Sequence, residues 1–189
     1  MRELALHLLD LAENSVAAEA RTVTMAVHED PLADRLSLAI SDDGRGMDAD
    51  LVARVTDPFV TSRRERRVGL GVPLLKEAAE ACAGGLRVQS ALGRGTTVTA
   101  DFQRSHLDRM PLGDLAGTWL TLLVGHPQVH WRFHYQVGPE TFEFDDEPIK
   151  ETLAGVPLSD PAVLQYLRAL LAEGVAQTAA AVALPVGGH

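Results

Sequence analysis

Residues 40–47, Ile40-Ser41-Asp42-Asp43-Gly44-Arg45-Gly46-Met47, set two carboxylates and two glycines directly after an apolar run. The preceding Arg35–Ser41 reads as a strand, so Asp42 stands where a strand gives way to a glycine-rich turn. A plain Asp-Gly chain reversal fits this pattern. So does a base-recognising loop. Asp42 is placed to accept a hydrogen bond from the 6-amino group of adenine. Gly44 and Gly46 allow the backbone to approach the base, and Met47 offers a face to pack on it.

Upstream, Leu4, Leu8, Leu11 and Ser15 repeat at helical spacing with Ala5, Leu9, Ala12 and Val16 beside them, which predicts a helix over the first eighteen residues. Glu3, His7, Asp10 and Asn14 form one polar stripe on it, which is either a solvated face or part of a site. In a site, the Asn14 amide oxygen would serve Mg²⁺, a hard cation that takes few oxygen ligands and keeps waters. Asp10, one turn earlier, would face the same place. Thr22–His28 and Arg35–Ser41 then read as strands joined at Glu29-Asp30-Pro31.

Downstream, Ala49–Val55 reads as a short helix and the arginine-rich Thr61–Arg67 as a loop. Gly69-Leu70-Gly71-Val72 opens a helix predicted over Gly71–Ala83, with Gly84-Gly85 as its stop. The N–H groups and dipole at such a helix start attract anions, and Arg63, Arg64, Arg66 and Arg67 lie just upstream. Leu86–Ala91 and Thr96–Phe102 read as a hairpin around Leu92–Gly95, from which the Thr96 hydroxyl could reach an adenine rim. The order of elements predicts an α+β fold, with helices on one face of a mixed sheet.

After Arg104 the character changes. Leu112–Val124 reads as a helix, and Val129–Val137 with Thr141–Phe144 as a hairpin turned at Gly138-Pro139. Ser159-Asp160-Pro161 starts a helix predicted to reach about Gly174. The expected division is a nucleotide-binding domain over 1–103, a small α+β module over 104–174 and a flexible tail over 175–189.

Bulk properties exclude several classes. The formal charge of -9 argues against a protein built to grip nucleic acid. One cysteine, Cys82, permits neither an intrachain disulfide nor a cysteine-ligated zinc site. The charges in the opening helix are unlike a signal peptide, and no apolar run reaches the length of a membrane span. A cytoplasmic location away from membranes is expected, with the oligomeric state open. His126, His130 and His134 recur every four residues and invite a metal reading, although His126 lies in a Gly-His-Pro turn.

Taken in order, these motifs resemble the ATPase superfamily shared by histidine kinases, gyrase, heat-shock chaperones and mismatch-repair proteins. Glu13-Asn14-Ser15 looks like its N box, Asp42–Met47 its first glycine box and Gly69–Val72 its second. Asp57-Pro58-Phe59 looks like the F box before the lid, and Gly95-Thr96 like the last glycine box. The resemblance covers residues 1–103 and implies the Bergerat-type two-layer sandwich. It implies ATP and Mg²⁺ as ligands, with Asn14 on the metal and Asp42, Gly44, Gly46, Met47, Arg63, Gly69, Leu70, Gly71, Val72 and Thr96 on the nucleotide.

Departures narrow the branch. The N box begins almost at Met1, and the basic residue usual three positions after the asparagine is Ala17. Both argue against a conventional kinase that phosphorylates its own histidine. Small stand-alone serine kinases of the anti-sigma type resemble the chain in size, and their base lies four residues before the asparagine, here Asp10; Glu13 is the neighbouring candidate. The short lid, Thr61–Val68, suits slow turnover or simple ATP sensing. The later segments His106–Asp114 and Phe142–Glu147 resemble small bacterial ATP-binding proteins encoded beside iron-hydrogenase or NADH-dehydrogenase-like subunits. Two functions are therefore expected as rivals. One is a regulatory kinase (serine/threonine or histidine type) or slow ATPase acting on a partner protein. The other is a non-catalytic ATP-dependent switch serving a partner such as a redox-enzyme subunit.

Overall fold

The computed structural model describes residues 3–55 and 71–180. Its elements are α1 (Leu4–Ala17), β1 (Thr22–Asp30), β2 (Arg35–Asp42), α2 (Ala49–Val55), α3 (Gly71–Ala81), β3 (Gly85–Ala91) and β4 (Gly95–Gln103). They continue with α4 (Leu115–Gly125), β5 (His130–Val137), β6 (Glu140–Asp145), α5 (Glu147–Leu153) and α6 (Pro161–Ala180).

The six strands form one sheet in the order β3-β4-β2-β1-β5-β6. Every neighbouring pair is antiparallel except β1 and β5, which run parallel. Alternation along the strands sorts the two faces. Val23, Met25 and Val27 of β1, Leu36, Leu38 and Ile40 of β2, and Trp131, Phe133 and Tyr135 of β5 are all buried, while their neighbours are partly open. That period of two makes a sheet with one covered face. Helices α1, α3 and α6 pack on it, and α4 packs between α1 and α6. The predicted α+β sandwich is therefore the observed fold. No helix among the described residues is long and apolar enough to cross a membrane.

The segment after residue 104 joins the same sheet. Met25 stands opposite Ile40 on one side and opposite Phe133 on the other. The two halves share one apolar cluster, in which Trp119 stacks on Phe133 at 4.8 Å. The first backbone N–H groups of α1 would otherwise lack partners. They are satisfied from the later half: Leu4 donates to Pro111 O at 3.0 Å and Ala5 to Leu112 O at 2.8 Å. Buried Glu29 of β1 accepts from the Tyr135 hydroxyl at 2.8 Å and pairs with Arg104 at 2.7 Å. Burial, the hydrogen bond to Glu29 and the Glu29 charge raise the Tyr135 phenol well above its ordinary value.

Several boundaries differ from the sequence reading. Helix α3 stops at Ala81, and Ala83, not a glycine, takes the left-handed conformation with φ 54°. Gly84 is required for another reason: a β-carbon there would run into Asp101 O on β4. Helix α4 starts at Leu115 because the Asp114 side chain accepts from Gly117 N at 2.8 Å and caps it. Helix α5 was not anticipated; it is a short helix with Pro148 in its first turn. The expected tail begins too early, since α6 continues through Gly174 to Ala180. Gly174 does not end α6 because Phe142 of β6 lies against it where a β-carbon would project, a packing reason invisible in the local sequence.

Candidate functional site

A cavity of about 240 Å³ opens between α1, α2, the ends of β2 and β4, and the start of α3. Ile40, Val72, Val88 and Val98 give it apolar walls, and Asn14, Asp42 and Thr96 supply polar groups. Apolar walls with a few fixed polar groups suit a flat heterocycle.

Asp42 is held from three sides. Its Oδ2 accepts the Ser15 hydroxyl at 2.7 Å, and its Oδ1 accepts Gly44 N at 2.9 Å and Thr96 N at 3.2 Å. A carboxylate offers about four acceptor positions, so one remains on the Ser15 side for an outside donor. The turn that follows is anchored separately. Asp43 Oδ1 accepts Arg21 N at 2.7 Å and Thr22 N at 2.9 Å. Burial pulls the Asp43 carboxyl upward, but these backbone N–H groups outweigh it, and its pKa lies below the ordinary value.

The glycines serve packing as much as ligand approach. Gly44 is buried against α1, where a β-carbon would sit 2.8 Å from Ala18 O and 3.0 Å from Asp42 Oδ1. It does not line the cavity, so its close neighbour is the end of α1, whereas the sequence reading expected the base. Gly46 does line the cavity, has φ +66°, and lies against Ala91 O of the β3–β4 hairpin. That hairpin is tied to Met47, whose N–H donates to Ser90 Oγ at 2.8 Å. Ser90 spends its single hydrogen on Gly95 O at 2.9 Å, so Thr96 must be the donor in the 2.8 Å contact between the two hydroxyls. The Thr96 oxygen thereby keeps its lone pairs free as acceptors, while its backbone N–H fixes Asp42.

The α1 residues separate. Asn14 is half-buried, lines the cavity and makes no side-chain hydrogen bond among the described residues. A carboxamide oxygen left available there fits a magnesium ligand. Asp10 is exposed and outside the cavity lining, yet it stands at the start of α3. A β-carbon on Gly71 would lie 3.2 Å from Asp10 Cβ and 3.3 Å from its Oδ2. Glu13 turns elsewhere: both its carboxylate oxygens lie 3.0 Å from His126 Nε2, at the end of α4. His7, read as part of a polar stripe, is 3% exposed and belongs to the interior.

Val72 lines the cavity and Gly71 is buried at the α3 start, whereas Arg63, Gly69, Leu70, the Asp57–Phe59 motif and the lid arginines lie outside the described residues. Ser15 and Ser90 were assigned no role from sequence. A serine in the apolar stripe of α1 was a usable signal for the first. Ser90 sits on an ordinary strand and its part emerges only from the fold.

The three histidines do not converge on a metal. His126 pairs with Glu13, His130 with Asp145 at 2.8 Å, and His134 with Glu143 at 3.2 Å. His130, Asp145 and Asp146 do cluster, but the Lys150 ammonium lies 2.6 Å from Asp146 Oδ2 and supplies the positive charge.

The family described as "Histidine kinase-, DNA gyrase B-, and HSP90-like ATPase" matches residues 2–106. A putative sensor protein of Shewanella frigidimarina is 29% identical over 110 residues, covering 57% of this chain and 16% of that protein. Sensor protein kinase FleS of Pseudomonas aeruginosa is 39% identical over 92 residues, covering 49% of this chain and 23% of FleS. The chain thus spans less than a quarter of the length of either relative. The Aquifex aeolicus MutL ATPase domain, solved with ADP, shares the fold at TM-score 0.50 and 15% identity, over 81% of this chain and 68% of that one.

Proposed function

Because the chain belongs to the histidine kinase-, DNA gyrase B- and HSP90-like ATPase family, we propose that its cavity binds ATP with Mg²⁺ and that it acts as a regulatory kinase or slow ATPase on a partner protein. The observation that carries this reading is Asp42. Three donors fix its carboxylate in an apolar cavity and leave one acceptor position for the amino group of adenine. Met47 and Val98 pack on the base, and Thr96 offers its hydroxyl oxygen at the rim.

Asn14 is the residue that would hold Mg²⁺, whose charge offsets that of the phosphate oxygens. The α3 start at Gly71 and Val72, with Gly69, Leu70 and Arg63 from the segment before it, receives the phosphates. Asp10, at that same helix start, orients or deprotonates the attacking water or hydroxyl. The later half of the chain offers the surface a partner reads, and a redox-enzyme subunit is the class its sequence suggests.

A non-catalytic switch is the second reading, favoured by the pairing of Glu13 with His126, which leaves Asp10 as the single carboxylate of α1 near the phosphate end. Calorimetric titration with Mg-ATP tests the site. Asp42→Asn keeps the oxygen that accepts Gly44 and Thr96 but places an amide donor where the adenine amino group must be received. Affinity falls about ten- to a hundred-fold, the scale of a hydrogen bond to a charged group. Unchanged affinity would remove Asp42 from the site.

A further inference from the structure

Helices cover one face of the sheet, and the other face sorts its side chains by charge. Two adjacent rows run through β4, β2 and β1 on that face: Thr97-Ser41-Thr24 and Thr99-Ala39-Ala26. All six residues are small and uncharged, and none is buried. Charge in these rows is confined to the outer strands. The second row begins on β3 at Arg87 and ends on β6 at Glu143. Their side chains are 70% and 75% exposed. A flat centre without charge inside a charged rim is the anatomy of a protein interface.

We propose that this face pairs with the same face of a second copy of the chain. The two-fold axis lies between the two sheets and runs along the strands, between β2 and β1. It sets β3 against β6 of the second copy, β4 against its β5 and β2 against its β1, and it keeps the rows in step. Arg87 then faces Glu143 of the second copy, and Arg35, which is level with Asp30 in the sheet, faces Asp30 of the second copy. Ala39 faces Ala26, and side chains this small allow the sheets to approach to about 10 Å. No two like charges meet within the paired rows. Twist makes each sheet a saddle, and a two-fold axis along the strands maps that saddle onto itself, so the sheets stay parallel over their whole width. An axis across the strands would also keep them parallel, but it lays acidic β6 on acidic β6, and charge decides against it. Six strands about 4.8 Å apart and about eight residues long give roughly 600 Å² per copy and about 1,200 Å² in all, which reaches the range of stable interfaces. Both nucleotide cavities remain open, because they lie on the helix-covered side.

The test uses the full chain without nucleotide, so its failure is distinct from failure of the ATP assignment. Sedimentation velocity is run over about 1–100 μM protein, where an interface of this modest area shows its equilibrium. Expected is a reversible monomer–dimer equilibrium with no larger species, since a face that pairs with itself closes the assembly. R87E and E143R each place two like-charge contacts in the interface and raise the dissociation constant at least about tenfold. Combined in one chain as R87E/E143R, the reversals restore the dimer. The two single variants, mixed, associate more tightly than either does alone. Both positions are exposed, where folding tolerates substitution, and circular dichroism melts check each variant. A monomer at every concentration, single variants as tight as the parent, or a doubly reversed chain no tighter than the single ones would each overturn the proposal.

Discussion

Ser15 donates its hydroxyl hydrogen to the carboxylate of Asp42 across 2.7 Å, fastening the middle of the site to α1. The same carboxylate receives N–H groups from its own turn and from β4. Three separate parts of the chain therefore agree on where one acceptor points.

Removing the first fastening is informative. Ser15→Ala leaves Asp42 anchored by two backbone donors, so ATP affinity drops by roughly two- to tenfold, the scale of about 0.5–1.5 kcal/mol for one hydrogen bond. In a double-mutant cycle with Asp42→Asn, the two losses are less than additive, because both act on the same adenine contact. Strictly additive losses in calorimetry would mean that Ser15 works independently of Asp42.

Asn14→Ala abolishes the dependence of nucleotide affinity on Mg²⁺ without unfolding the chain, since its carboxamide is tied to no other described group. Titrations with ATP in the presence of Mg²⁺ and of a chelator then coincide. A persisting gap assigns the metal to another residue.

Asp10→Asn separates chemistry from binding. A carboxylate near the phosphate end gains nothing from the bound ground state and acts as a nucleophile is oriented or deprotonated. ATP affinity stays within a few-fold while turnover or phosphotransfer falls by at least about 10²-fold. Assays with labelled ATP check this, with and without proteins encoded beside the gene. Turnover equal to that of the unmodified protein excludes Asp10 as the base.

Acid sensitivity has a local source at Asp101. Burial pulls its carboxyl upward, but hydrogen bonds from Ser37 and Arg35 and the charges of Arg35 and Arg87 outweigh that, and its pKa lies below the ordinary 3.8. A group depressed in the folded state stabilises it above the unfolded value, and that contribution disappears as pH falls through the folded one. Asp101→Asn therefore lowers the melting temperature at pH 7, and the difference from the parent narrows as melts are taken from pH 5 towards pH 3. A difference that stays constant would contradict the assignment.

The stretch from Asp42 to Met47 was legible because its chemistry is written in consecutive residues. Helical spacing put Glu3, His7, Asp10 and Asn14 on one stripe of α1, but in the structure Asn14 lines the cavity, Asp10 stands outside its lining, and His7 is interior. Periodicity places a residue on a face but does not say what covers that face, and α3 with the loop after β4 encloses His7. The same blindness concealed Ser90, whose partners Met47, Gly95 and Thr96 come together only when the β3–β4 hairpin closes on the Asp42 turn. Helix α6 outran its expected end because a glycine reads as a stop unless one knows that Phe142 fills its side.

The parallel pairing of Thr22–Glu29 with His130–Val137 has a practical consequence. A shortened protein ending at residue 103 would leave β1 with its outer row of amides and carbonyls bare, beside a face that has lost Trp131, Phe133 and Tyr135. Such an uncovered strand is a template for self-association. Anyone isolating the nucleotide-binding half alone should expect aggregates, and the piece worth purifying extends at least through the end of α6.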